Sequence, residues 1–206
     1  MTESWRRIWL TAVLGATLTG VAAAQAGPRQ PPQPFPAPDR PVARIVSPAW
    51  NSETVRDREG EASRVFDLMH LTSGVRIADI GAGSGYYTVR LAERLGTGST
   101  IYAEDIEPIY LSRLQGRLER QGLRGVTLVL GEAGDPELPP ASVDVALLSH
   151  MYHEIANPYE FLYHLARAVA LGGRVAVVDL NRSIARHGTP VELLRCEMTA
   201  MGYHER

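Results

Sequence analysis

The segment Asp79-Ile-Gly-Ala-Gly-Ser-Gly85 sets an acid two residues before the first of three glycines at alternate positions. Glycines so spaced let the main chain approach a ligand closely and adopt conformations that a Cβ would forbid. About 20 residues further on, Glu104 and Asp105 end an apolar run, where an acid can accept hydrogen bonds from both hydroxyls of a ribose. A third cluster, Ser149-His-Met-Tyr-His-Glu-Ile155, packs His150, Tyr152, His153 and Glu154 into one short stretch. Histidine titrates near neutral pH and suits general-base work, so His153 is the expected base for a substrate hydroxyl, with Glu154 or Tyr152 in support. The opposing reading packs His153 as a hydrogen-bonded structural residue. His150, His153 and Glu154 also invite a metal, but H-x-x-H-E is not a zincin spacing and three residues on one turn rarely converge, so no metal site is expected. His187, in Arg-His-Gly-Thr-Pro, could reach the same rim.

Composition narrows the chemistry. A dinucleotide fingerprint wants G-x-G-x-x-G, whereas here Tyr86 stands where the third glycine would fall, which weakens a nicotinamide reading. All 21 basic residues are arginine, so neither Schiff-base nor lysine-base chemistry is open to the chain. The single cysteine, Cys196, excludes an internal disulfide framework and a multi-cysteine zinc site, and is expected to be a buried apolar residue. A net charge of −2 with no long basic block argues against nucleic acid as a partner and for a small or neutral one.

The elements that position these residues follow from periodicity. Residues 53–71 carry Val55, Ala62, Val65, Phe66 and Met69 at helical spacing and read as one amphipathic helix. Strands are expected at 75–80, 100–105, 126–130, 143–148 and 174–179; their continuous apolar runs suit parallel strands covered on both faces. Helices are expected at 87–95 and 108–121, each followed by a glycine able to take the left-handed C-cap conformation. Asn157-Pro158-Tyr-Glu160 and Thr189-Pro190-Val-Glu192 each read as a capping residue, proline at the first helical position and glutamate at the third. Such alternation predicts a Rossmann-like, doubly wound, mostly parallel α/β sheet with helices on both faces and ligands at the carboxyl ends of the strands.

Residues 1–26 read as a signal peptide: Arg6 and Arg7 precede an uncharged stretch that ends in Ala24-Gln25-Ala26. Its richness in Ala, Gly and Thr speaks against a membrane anchor, so no membrane association is expected once it is cleaved. Trp5-Arg-Arg-Ile-Trp-Leu also partly matches the twin-arginine signal, so Sec and twin-arginine export both stay open. Export implies a periplasmic protein; a non-functional signal would leave it in the cytoplasm. Residues 27–41, with seven prolines, read as a spacer, and 42–206 as the folded domain.

In their order, these motifs resemble the class I S-adenosylmethionine-dependent methyltransferases. The stretch from Val75 to Ala92 is similar to that family's first motif, Ile101 to Pro108 to the second, Leu130 to Pro139 to the third and Ser142 to Ile155 to the fourth, while Leu171 to Leu180 is similar to its strand-five segment. The wording GYYTVRLA, AEDI, MYHEI and HGTP further resembles a bacterial subgroup of predicted methyltransferases. The resemblance implies S-adenosyl-L-methionine as cofactor. Asp79 and the backbone of Gly81, Ala82, Gly83 and Gly85 would hold its methionyl portion. Asp105 would take the ribose, with Glu104 as second candidate. Glu132 and Ala133 would face the adenine edge, and Ser149 and His150 would line the substrate side. Tyr86 or Tyr87 could cover the cofactor or simply pack.

The implied activity is methyl transfer to an unidentified small-molecule acceptor. The alternative is an exported, non-catalytic cofactor-binding protein of the same fold. A complete sheet of this family adds an antiparallel hairpin after strand five, and the sequence stops where that hairpin should begin, so strand five is expected to keep one unpaired edge.

Overall fold

The structure is a computed structural model that describes residues 11–15, 35–45 and 53–205, the first of these by backbone only. Five strands run parallel: β2 (Arg76–Ile80), β3 (Thr100–Asp105), β4 (Val126–Leu130), β5 (Val143–Ser149) and β6 (Val169–Val178). With β1 (Thr11–Gly15) and β7 (His204–Glu205), the sheet order is β4-β3-β2-β5-β6-β1-β7. The reversal between β2 and β5 opens a crevice at the carboxyl ends of the central strands, the place where open α/β sheets bind ligands.

Because side chains alternate across a strand, the apolar runs supply two cores at once. Ala78, Ile80, Ala146, Leu148, Val175 and Val177 face α5 (Pro158–Ala168) and α6 (Val191–Ala200). Ile77, Val145, Leu147, Ala176 and Val178 face α2 (Glu61–Leu68) and α3 (Tyr86–Leu95). Leu114 and Leu118 of α4 (Pro108–Gln121) close over Ala103 and Val89. The doubly wound expectation therefore holds, and the strands expected at 100–105 and 126–130 match β3 and β4 residue for residue.

Several expectations need correction. The single helix over 53–71 is two, α1 (Glu53–Arg58) and α2, because Gly60 adopts the left-handed conformation (φ 63°) and turns the chain between them. Proline opens α5 at its first turn, but Asn157 makes no side-chain cap bond. At α6, Pro190 is the residue before the helix, and the Val191 N–H is capped by Asn181 Oδ1 at 3.2 Å. Thr189 is withdrawn from capping because its hydroxyl donates to Asp179 Oδ2 at 2.6 Å. Cys196 is exposed on α6 rather than buried.

The edge of β6 is not open: β1 pairs with it antiparallel, Leu14 opposite Val175, and β7 pairs antiparallel with β1. Residues 11–15 lie within the stretch read as a signal peptide; the remainder of 1–26 falls outside the described residues, as do 27–34 of the proline-rich stretch. The end of that stretch is anchored. Arg40 Nε lies 2.9 Å from Glu197 Oε1 in a pair almost wholly buried, its Nη2 donates to the Ile155 carbonyl at 2.8 Å, and the Ala43 N–H donates to the His153 carbonyl at 3.0 Å. Packing thus begins before Val42. Among the described residues no helix is long and apolar enough to cross a membrane.

Candidate functional site

The site is built from the ends of β2, β3 and β5 and the loops that leave them. After Ile80 the chain turns into α3 through Gly81 (φ 65°), Gly83 (φ 55°) and Gly85 (φ 90°), all in the left-handed region that explains glycine at alternate positions. The turn is laced to β3 by three bonds: Ala82 N to Glu104 O at 2.8 Å, Gly83 N to Asp105 Oδ2 at 2.7 Å and Gly81 N to Glu104 Oε2 at 3.3 Å. Asp79, at 2% exposure, accepts the Thr88 hydroxyl at 2.5 Å and so ties the end of β2 to the first turn of α3.

These residues line one cavity of about 300 Å³, at the lower end of the range of roughly 300–1,000 Å³ usual for small-molecule sites. Asp79, Gly81, Ala82, Gly83, Glu104, Asp105, Glu132, Ala133, Ser149, His150 and Glu154 all line it. Glu132 and Ala133 are exposed at its mouth. Gly85 lies below the wall: a Cβ there would meet Leu114 Cδ1 at 2.3 Å, so this glycine serves the packing of α4 against the loop and not the ligand. At Gly81 a Cβ would come within 3.0 Å of Met151 Cγ, where the loop after β5 closes on the glycine turn.

Three buried acids, Asp79, Glu104 and Asp105, line the cavity. Burial pushes the Asp79 carboxyl up to about 6 and the Glu104 carboxyl up to about 8, in each case with the neighbouring Asp105 adding repulsion. Asp105 is raised by burial too, although it accepts the Gly83 and Glu107 N–H groups.

Two residues expected at the reacting atoms do not line the cavity. Tyr152 is fully buried and donates its hydroxyl to Glu197 Oε2 at 2.8 Å, on the far side of the loop from the cavity. His153, at 1% exposure, is turned into the fold, its Nδ1 2.9 Å from Asp179 Oδ2. Burial would raise the Asp179 carboxyl, but the hydrogen bond and charge of His153 outweigh it and hold Asp179 below its ordinary value. His153 is not among the residues that line the cavity, and its contact with Asp179 is the one the structural reading expects. From that loop His150 and Glu154 are the titratable side chains that reach the wall.

Sequence reasoning missed the opposite wall. Arg56 of α1 lines the cavity, pairs with Glu61 at 2.6 Å and lies over the Tyr86 ring at 3.5 Å. Glu61 also accepts the Tyr87 hydroxyl at 2.7 Å and lies 3.4 Å from His150 Nε2. Burial pushes the Glu61 carboxyl up, but His150 and Arg56 together hold it far below the usual carboxylate range. Tyr86 and Tyr87 are held by α1 and α2 and both also line the cavity, so the packing and the covering roles are compatible. Arg56 and Glu61 are five residues apart, about 140° around a continuous helix, and meet because the chain turns at Gly60. That glycine was the signal, and an unbroken apolar periodicity obscured it.

Comparison with known proteins agrees with this geometry. Residues 78–177 match the family described as "Methyltransferase domain". The aklanonic acid methyltransferase DauC of Streptomyces sp. (strain C5) is 27% identical over 113 residues, covering 55% of this chain and 51% of that protein. The nocamycin O-methyltransferase of Saccharothrix syringae is 38% identical over 89 residues, covering 43% of this chain and 31% of that protein. The chain thus spans about half the length, or less, of these curated relatives. Among solved structures, a SAM-dependent methyltransferase from Aquifex aeolicus superposes with a TM-score of 0.65 at 18% identity, covering 74% of this chain and 88% of that one. The chain has the Rossmann-like fold of the methyltransferases, and its residues 78–177 match their domain family.

Proposed function

We propose that the chain is an S-adenosylmethionine-dependent methyltransferase acting on a small molecule, with the cavity at the ends of β2, β3 and β5 as its cofactor site. The observation that carries this reading is the convergence of Asp79, the glycine turn, Asp105 and His150 on one cavity, within the residues that match the methyltransferase domain.

The residues present fit the cofactor. Asp79, Glu104 and Asp105 line a cavity into which Arg56 brings a cation already paired with Glu61, and a positively charged ligand there would favour the ionised form of these acids, which burial disfavours. When bound, the cofactor supplies an electrophilic methyl group on a sulfonium. Asp79 and the glycine turn hold the methionyl part, Asp105 the ribose hydroxyls, and Glu132 with Ala133 the adenine edge. In-line displacement gains most of its rate from holding nucleophile and methyl in register, which the paired glycine turn and β3 end supply as a rigid platform. For a hydroxyl acceptor, His150 takes the proton, and the Glu61 carboxylate beside its ring stabilises the imidazolium that forms.

Calorimetric titration of the full chain with S-adenosylmethionine, S-adenosylhomocysteine and NAD tests the cofactor. Micromolar binding of the first two and none of NAD is expected; a folded chain that binds neither refutes the reading. Export rests on the residue pattern of 1–26, and an intact Met1 on protein from the cytoplasmic fraction would overturn it.

A further inference from the structure

We propose that His153, Glu154 and His187 form a binding site for a divalent transition cation of the zinc class, in the wall beside the cavity. The inference is independent of the methyl-transfer reading. Each of the three residues offers one ligand atom, and these atoms lie within 4.8 Å of one another.

His153 is the fixed member. Asp179, at the end of β6, accepts the Thr189 hydroxyl at 2.6 Å and lies 2.9 Å from His153 Nδ1 through the same oxygen. A carboxylate that accepts from Nδ1–H sets the tautomer and leaves the Nε2 lone pair directed outward, the arrangement that supports histidine ligands in metal proteins. His153 Nε2 is buried and has no hydrogen-bond partner among the described residues. Its neighbour is Glu154 Oε1 at 3.9 Å, beyond hydrogen-bond reach. A buried imidazole nitrogen without a partner is costly, and a cation would satisfy it.

His187 completes the set from the loop after β6, its ring 5.6 Å from that of His153 and nearly perpendicular to it. Two imidazoles and one carboxylate suit zinc or cobalt better than magnesium or calcium, which prefer oxygen alone. Bonds of about 2.0–2.2 Å in a tetrahedral site set ligand atoms about 3.4 Å apart, so Glu154 and His187, both half-buried, have to close by about an ångström or more. Three protein ligands leave a position open, and Glu154 is shared with the cavity lining. The residues stand at 153, 154 and 187, a spacing with no motif behind it, and the turn after β6 is what brings the third one in.

The test uses the untagged full chain, stripped with chelator and titrated with Co²⁺ followed by visible absorption, with Zn²⁺ in competition. One saturable equivalent, displaced by Zn²⁺, is expected. His187→Ala and Glu154→Ala should each weaken binding by about tenfold or more, while His164→Ala, which removes a histidine paired with Asp135 elsewhere, should not. Circular dichroism verifies that each variant is folded; His153→Ala is avoided because that ring is built into the core. Failure of folded wild type to bind at roughly 1 mM metal, or binding that survives either substitution within about threefold, overturns the proposal.

Discussion

Replacing Glu104 by glutamine should remove most of one pH-dependent loss of stability. Glu104 is 2% exposed, and its carboxyl is pushed from 4.5 up to about 8 by burial first and by Asp105 and Asp79 second. Between these two values the folded chain holds a proton that the unfolded chain has released, so stability falls as pH rises and levels off above pH 8. Across the whole window the loss is roughly 5 kcal/mol at 1.36 kcal/mol per unit, and the part between pH 5.5 and 8 is about 3 kcal/mol. Glutamine keeps an oxygen for the Gly81 N–H, which Glu104 accepts at 3.3 Å, but cannot ionise. Urea unfolding followed by circular dichroism at pH 5.5, 7 and 9 should therefore show Glu104→Gln gaining about 3 kcal/mol on the wild type over that range, whatever their difference at pH 5.5. The difference between the two proteins isolates this side chain from Asp79 and every other titrating group. Parallel profiles, with the difference constant to within about 1 kcal/mol, would refute the idea that Glu104 is neutral in the folded site.

Three further outcomes follow from particular contacts. Gly85→Ala forces a Cβ to within 2.3 Å of the buried Leu114 Cδ1 at a φ of 90°, and should cost about 2–4 kcal/mol, read as a fall in melting temperature. Arg40→Leu strands Glu197 and, because the pair is almost wholly buried, should destabilise by about 3–5 kcal/mol in denaturant titration; a change below about 1 kcal/mol would show that residues 35–45 do not contribute to the fold. Asp105→Ala should weaken S-adenosylmethionine binding by about tenfold or more in calorimetry, whereas Tyr152→Phe, whose hydroxyl faces Glu197, should leave that affinity unchanged to within about twofold.

The strands and the main ligand-facing turn were legible in the sequence because their signals are local. Continuous apolar runs can only be parallel strands or buried helices, and the glycines that bound them settle which. Asp79, Gly81, Gly83 and Asp105 could be placed at strand ends for the same reason, since a strand fixes where its last residue lies. The broken helix at Gly60 was also local, yet the apolar spacing on either side of it continued in phase and concealed the turn.

What tertiary structure alone decided is which side chains of each loop face the ligand. Ser149, His150 and Glu154 reach the cavity while Tyr152 and His153, between them in sequence, are drawn into the core by Glu197 and Asp179, residues 45 and 26 positions away. A short 3-10 turn over Tyr152–Glu154 sends neighbouring side chains to different sides, and no periodicity in seven residues encodes that choice. Arg56, Glu61 and His187 likewise join their partners through distant contacts that a single sequence cannot show. The sequence by itself determined the five parallel strands, the helices that alternate with them and the backbone half of the site, because hydrophobic pattern and glycine φ act within a few residues. The side-chain half, and the meeting of His153, Glu154 and His187, was fixed by packing between β6, α2 and the loop after β5, where burial and hydrogen bonding select one orientation per side chain.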